Sequence, residues 1–199
     1  MPPPKSRPGG RTARVRRDVV RAAGDVLAEK GLDGLDLGDV AARAGVGKTT
    51  VYRRWGSRAA VVSDVLAEMA ETSSPRSMHG SLDADLDANA TLVQATLDDP
   101  RQGSLFLALL AAATCDADTA RALEHFYNVR IAEWAPCVAG AVDRGELPER
   151  TDADAVIRAV SAPLYYHRLT RTEPIGPDRA RQAARAAAAA ARAGVFVVG

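Results

Sequence analysis

The residues with the clearest capacity for chemistry lie in the stretch AGVGKTTVYRRW, residues 44–55. Its first half, GVGKTT, is typical of a glycine-rich loop whose backbone N–H groups and lysine hold the phosphates of a nucleotide. Its second half, VYRRW, is typical of the second helix of a DNA-binding helix-turn-helix. Both interpretations place the stretch beside a phosphate, but only the first would make the protein an enzyme.

The nucleotide-binding interpretation requires a particular context. A P-loop has the pattern G-x-x-x-x-G-K-[ST] directly after a buried strand, whereas Ala42 occupies the position of the first glycine. The loop of partition-type ATPases fits GVGKTT better, but it also follows a strand, and the preceding DVAARA has helical spacing. A P-loop ATPase therefore stays an alternative, and we expect no enzymatic activity.

The residues around the stretch predict helices that would position it. Apolar residues recur with helical spacing from Thr12 to Gly31, where a first helix would end. Asp36 is a predicted N-cap of a short second helix that ends at Gly45, and Gly47 is a predicted N-cap of a third. This order is that of a helix-turn-helix.

The third predicted helix has two different faces. Val51 and Trp55 are one turn apart and are expected to face inward. The opposite face would then carry an aromatic residue, a hydroxyl and two cations, which suit a groove lined with phosphates: Lys48, Thr49, Tyr52 and Arg53.

The rest of the chain also predicts helices. Ser57 would cap a fourth helix, and further helices are expected over 82–98, 101–114, 118–144, 152–172 and 178–193. Prolines and glycines in residues 1–10 indicate a flexible leader. The sequence therefore predicts an all-α protein with a basic leader over 1–11, a helix-turn-helix domain over 12–58 and a larger helical domain over 59–199.

Charge separates the two ends of the chain. The overall formal charge is +1, but residues through Arg58 contain 13 Lys or Arg and 6 Asp or Glu, whereas the remainder contains 13 and 19. The first part is thus +7 and the second −6. A basic N-terminal module favours nucleic acid as its partner.

Other classes of site and location have little support. The two cysteines and three histidines show no CxxC motif and no metal-type spacing, so no metal or cofactor is expected. No segment approaches the roughly 18 uninterrupted apolar residues of a membrane helix. We therefore expect a soluble, cytoplasmic protein.

The segment VAARAGVGKTTVYRRWGSRAAVV, with the upstream GLDGLDLGD, resembles the N-terminal domain of TetR-type transcriptional regulators. The resemblance covers about residues 12–70, with Trp55 where Phe is usual, Gly47 where Ser is usual and Arg58 where Lys is usual. The segment APLYYHRLTRTEPI at 162–175 is similar to a GPLYYRLL-type segment of some such regulators, with His167 in place of Arg and Ala162 in place of Gly.

The resemblance implies a homodimeric regulator, most often a repressor, that leaves its palindromic operator when a small molecule binds. Lys48 and Thr49 would lie nearest the base edges, and the helix N-termini at Leu37 and Arg58 would donate to phosphates. The basic leader, with Lys5, Arg7, Arg11 and Arg14, would reach along the duplex. The full set of expected DNA contacts is Arg11, Asp36, Leu37, Lys48, Thr49, Thr50, Tyr52, Arg53, Arg54 and Arg58.

The resemblance also implies an effector cavity and a dimer interface in the larger domain. The two last helices, near 152–193, would form the interface, where an alanine-rich face allows close packing. Aromatic residues on the preceding helices suggest a small, uncharged hydrophobic effector, held by Phe106, Leu110, Phe126, Tyr127, Trp134, Tyr165, Tyr166 and His167. A DNA-binding protein with no effector is a further alternative.

Overall fold

A computed structural model of the protein describes residues 8–71 and 79–199. These residues form nine helices: α1 (Pro8–Lys30), α2 (Leu37–Arg43), α3 (Lys48–Arg54), α4 (Arg58–Glu71), α5 (Leu82–Asp98), α6 (Pro100–Ala113), α7 (Ala117–Asp143), α8 (Ala153–Thr170) and α9 (Gly176–Arg192). Among these residues, one isolated antiparallel β-bridge joins Thr151 and Val197. The all-α prediction is confirmed.

The helix bounds from α5 onward agree with the predicted ones to within two residues. The start of α1 differs, because the helix begins at Pro8 rather than Thr12. The expectation that residues 1–10 form no helix is therefore wrong for 8–10. Proline is tolerated in the first turn because its missing N–H would have no acceptor within the helix. Residues 1–7, with Lys5 and Arg7 of the predicted leader, lie outside the described residues.

The chain divides into two compact units. The first contains the described residues up to Glu71 together with Ser104–Glu124, and the second contains the described part of Thr72–Gly103 together with His125–Gly199. Helix α4 belongs to the same compact unit as the first three helices, and the functional boundary between residues 58 and 59 stays a prediction. Across the described ranges, no helix is sufficiently long and apolar to cross a membrane.

The first unit has a core of fully buried aliphatic residues from α1, α2, α3 and α4, among them Val19, Leu27, Val40, Val51 and Val62. The predicted caps are confirmed. Asp36 accepts the N–H groups of Gly38 and Asp39, and Ser57 Oγ accepts the N–H of Ala60 at 3.2 Å. Gly45 ends α2 with φ +64°, a conformation that costs glycine little.

In the second unit, α9 packs against α5 and α8. Its buried face is made of alanines: Ala180, Ala183, Ala184, Ala187, Ala188 and Ala191. Small side chains let the three helices approach closely. The alanine-rich face was expected to lie across a dimer axis, but the structure uses it inside a single chain.

Asp98 joins the end of α5 to the start of α9 within the second unit. Its Oδ1 accepts the N–H of Ile175 at 2.8 Å, and its Oδ2 accepts the N–H of Gly176 at 3.0 Å. One carboxylate therefore covers donors that the first turn of α9 leaves without an intrahelical acceptor.

Candidate nucleic-acid interface

Residues 44–55 form the turn and second helix of a helix-turn-helix. The residues before Gly45 form α2, and α3 starts at Lys48 after a turn of four residues. A P-loop needs a buried strand at the place that α2 occupies. The nucleotide-binding alternative for GVGKTT is therefore wrong.

Helix α3 has the two faces that its sequence predicts. Val51 is fully buried and Trp55 is 8% exposed. Lys48, Thr49 and Arg53 are exposed, and Tyr52 keeps 48% of its surface accessible. Thr50 is half-buried. The exposed side therefore presents two cations, a hydroxyl and a phenol on a helix two turns long.

A polar cluster around Arg16 fixes the end of α3. The Trp55 indole donates to Asp64 Oδ2 at 2.9 Å, and the Arg16 guanidinium donates to both oxygens of Asp64 and to Glu68. The Arg16 side chain is 22% exposed, so solvent screens these contacts only in part. Helices α1 and α4 thus hold Trp55, the C-cap residue of α3, from the buried side.

Two of the expected DNA contacts are partly engaged within the protein. The Arg54 guanidinium lies 5.0 Å above the Trp55 ring and donates to the Thr12 carbonyl at 3.4 Å. Arg58 Nη1 donates to the Leu32 carbonyl at 3.3 Å. Both side chains remain exposed, and the other donors of each guanidinium are not used by these bonds.

The start of α2 lies against the Lys48 side chain. Asp36 covers the N–H groups of Gly38 and Asp39 but not that of Leu37. A Cβ placed on Gly38 would come within 3.0 Å of Lys48 Nζ. The ammonium of the first residue of α3 therefore lies beside the positive end of α2, where the two together favour an anion.

The expected N-terminal arm is described only in part. The side chain of Arg11 lies outside the described residues, although its backbone belongs to α1. Arg14 is 80% exposed and lies 3.7 Å from Asp18. It therefore occupies the surface of α1 rather than a leader.

The expected effector residues are distributed over both units. Phe106 and Leu110 belong to the first unit, and the others belong to the second. The Tyr127 ring meets Phe126 and Tyr165 edge-on, with ring centroids 5.7 Å apart in both pairs. Burial raises the pKa of Tyr127 to about 12 and also raises the pKa of Tyr165. Both phenols therefore stay uncharged at neutral pH.

The remaining expected residues differ in exposure. Trp134 is buried, and buried His167 places Nε2 3.1 Å from the Glu173 carbonyl. Tyr166 is 70% exposed, so it points to solvent rather than into an apolar interior. An open pocket of about 530 Å³ lies here, lined by Pro163, Tyr166, His167, Thr170, Arg171, Glu173, Pro174, Ile175 and Arg179. Its lining is more charged than the expected apolar site.

Two buried polar residues were missed in the sequence. Asp85 and Asn89 are 1% and 4% exposed on α5. Their signal was present, since they share the helical register of buried Leu82, Leu86 and Ala90. Within the described ranges, no three His, Cys, Asp or Glu side chains come close enough to hold a metal ion.

Family models match both parts of the chain. The model for bacterial regulatory proteins of the tetR family matches residues 19–65, and the model for the tetracyclin repressor-like C-terminal domain matches residues 77–187. The first match contains α2 and α3 entirely. The second spans more than half of the protein.

Individual relatives cover most of the chain. The uncharacterized HTH-type transcriptional regulator YdeS of Bacillus subtilis is 28% identical over 164 residues, 82% of each chain. The HTH-type transcriptional regulator AqdR of Rhodococcus erythropolis is 26% identical over 158 residues, 79% of this chain and 75% of that relative.

Solved structures share the fold. GusR of Salmonella enterica superposes with a TM-score of 0.72 at 19% identity, covering 96% of this chain and 98% of its own. The helix-turn-helix geometry, the two family models and these relatives agree. The chain belongs to the TetR family of transcriptional regulators.

Proposed function

We propose that this regulator is a cytoplasmic, homodimeric repressor that binds a palindromic operator through α3 and leaves it when a small hydrophobic molecule binds. The observation that carries the proposal is the exposed face of α3, which stands on a fully buried Val51 and a buried Trp55. A short helix supported in this way can enter a major groove without losing its packing.

Residues on this face have separate proposed roles. Thr49 lies in the first turn of α3 and reads base edges, while Tyr52 and Arg53 bind phosphates. Lys48 was expected near the base edges, but its ammonium lies beside the start of α2, so we assign it a phosphate that it holds together with the Leu37 N–H. Arg58 adds a phosphate contact through the guanidinium donors that Leu32 does not occupy.

The proposed dimer forms through α8 and α9. The exposed side of α8 carries two large residues, Tyr166 at 70% and Leu169 at 58% exposure. A symmetric contact would cover them. With the alanine face of α9 buried inside the chain, the outward residues of α9, such as Gln182, Arg185 and Ala189, would complete the interface. Residues 59–199 would then serve effector binding and dimerisation.

Selection of operators from random double-stranded DNA by the purified protein tests this proposal. We expect an inverted repeat whose half-sites are centred about one helical turn or a small multiple apart. A screen of small molecules for both thermal stabilisation and release of the selected DNA then tests regulation. Failure to enrich any sequence would refute the operator. Stabilisation by no compound would favour a DNA-binding protein without an effector.

A further inference from the structure

Helix α5 contains a polar pair within an otherwise apolar buried face. Leu82, Leu86 and Ala90 are fully buried on this face, and Asp85 and Asn89 lie among them at 1% and 4% exposure. Residues four apart on a helix are neighbours on the same side. The two side chains therefore lie one turn apart in the interior of the second unit.

Only part of this pair has a structural role. Asp85 Oδ1 accepts the His79 N–H at 2.7 Å and lies 3.2 Å from His79 Nδ1. Asp85 Oδ2 and Asn89 Oδ1 are buried and have no hydrogen-bond donor among the described residues. His79 thus accounts for one oxygen of Asp85, whereas the other oxygen of Asp85 and the amide oxygen of Asn89, one helical turn further along, have no assigned donor.

Two buried acceptors without donors destabilise a protein. Each is removed from bulk water, and no donor among the described residues takes the place of that water. An apolar side chain at position 89 would pack in the same register without this cost. An orphaned buried polar group in a folded protein calls for an explanation, and a ligand that supplies the missing partner is one.

The two acceptor oxygens of Asp85 and Asn89 limit which kind of ligand could bind to them. Both atoms are oxygens that accept hydrogen bonds, and one belongs to a carboxyl group. A metal ion would need more ligands, and the described residues hold no group of three side chains suited to one. A protonated amine needs only acceptors, since it has up to three N–H donors.

We propose that Asp85 and Asn89 bind the ammonium group of a hydrophobic amine. The ammonium donates to Asp85 Oδ2 and Asn89 Oδ1, and the apolar body of the ligand displaces part of the packing around the fully buried Leu82, Leu86 and Ala90. This inference rests on the proposed function, because it names the class of effector. It also departs from the uncharged ligand that the sequence suggests, since buried Asp85 contributes an acidic group to the interior.

The first test needs no ligand. If Asn89 Oδ1 lacks a partner, Asn89→Leu raises the melting temperature of the full chain or leaves it unchanged. If a donor within the protein satisfies that oxygen, the same substitution lowers the melting temperature, and the proposal is overturned. Leu86→Asn, which buries a new amide on the same face, is the control and lowers the melting temperature.

The second test measures binding. A panel of arylalkylamines, such as naphthylmethylamine and larger analogues, is compared with matched alcohols and carboxylic acids by thermal shift and calorimetry. We expect amines to bind and the matched acids not to bind. Asp85→Asn keeps an acceptor for the His79 N–H but weakens amine binding about 10- to 100-fold.

Asp83→Asn is the matched control for Asp85→Asn. Asp83 is on the same helix, is exposed and pairs with Arg192, so its loss leaves amine affinity unchanged. Binding of no amine, preferential binding of the alcohols or acids, or equal amine affinity in Asp85→Asn and wild type would each overturn the proposal.

Operator release separates this inference from the proposed function. An amine that binds through Asp85 but leaves the protein on its operator supports the site and refutes its role as the inducing site. Release by compounds that lack an amine, with unchanged potency in Asp85→Asn, supports regulation and refutes the site.

Discussion

At the scale of single residues, Asp64 connects the support of α3 to the rest of its unit. It accepts from both the Trp55 indole and the Arg16 guanidinium. We expect Asp64→Ala to destabilise the protein by about 2–4 kcal/mol, because a partly buried cation loses its main partner. Chemical denaturation at fixed protein concentration measures this loss.

The control for Asp64→Ala is Asp18→Ala. Asp18 pairs with Arg14 across 3.7 Å on the surface of α1, where the two side chains are 45% and 80% exposed. Its loss should change stability by no more than about 0.5 kcal/mol. Equal losses for the two variants would contradict the role assigned to the Arg16 cluster.

Thr49 and Arg53 should affect DNA binding in different ways. Arg53→Ala is expected to weaken binding to all sequences and to reduce the salt slope of log K by about 0.9, because one phosphate contact is lost. Thr49→Val should change the preferred base at one position of each half-site and leave the salt slope unaltered. Binding titrations at several salt concentrations, with the selected operator and point variants, distinguish these effects.

Arg179→Ala serves as the control, since it removes an exposed arginine from the other unit. It should leave the salt slope unaltered. A salt slope that Arg53→Ala does not change would show that this side chain does not contact phosphate.

At the scale of elements, the junction of α5 and α6 depends on one glycine. A Cβ on Gly103 would lie 2.3 Å from the Leu97 carbonyl oxygen, which also accepts from Arg168 Nε at 3.2 Å. Because the obstacle is backbone, Gly103→Ala should destabilise the protein by about 1–3 kcal/mol. Thermal unfolding of the variant and the wild type measures this loss of stability.

Gly10→Ala is the matched substitution in a helix with open space, since nothing lies within 4 Å of a Cβ there. It should change stability by less than about 1 kcal/mol, in the stabilising direction. A neutral Gly103→Ala would mean that α6 can shift away from the end of α5 without cost.

Elements were predictable from the sequence where their signals are local. Asp36 and Ser57 cap helices because each side chain bonds to N–H groups two or three residues ahead, and such spacings can be read directly. The start of α1 was missed because Pro8 is compatible with either a leader or a first turn. The two-faced pattern of α3 was predictable because helical periodicity alone determines it.

Features that depend on distant parts of the chain were less predictable. The alanine face of α9 could pack within the chain or against a second copy, and only the tertiary structure shows that it meets α5 and α8. The sequence identified Tyr127 and Tyr165 as candidate effector residues. It could not show that their rings, which belong to two different helices, are in contact. Asp85 was overlooked because charged residues are seldom buried.

At the scale of the whole molecule, we expect a dimer with a mass near twice that of the 20.9 kDa chain. Tyr166→Asp with Leu169→Asp should produce monomers, because burying two carboxylates in an interface is unfavourable. Operator affinity should also fall, because two monomers would then bind the two half-sites independently. Sedimentation velocity and DNA titration measure both effects.

Ala139→Asp introduces a single carboxylate at an exposed position of α7 and should leave the dimer intact. A dimer that survives the double substitution on α8 would place the interface elsewhere on the protein.

The support of α3 from behind has a consequence for protein engineering. Val51, Trp55 and the Arg16 cluster hold the helix through one side, while positions 48, 49, 52 and 53 form the other. If positions 48, 49, 52 and 53 read the operator as proposed, they can be exchanged for those of another regulator without altering the residues that anchor the helix. Such chimeras would place one effector response under different promoters, which makes this unit a modular part for building independent genetic circuits.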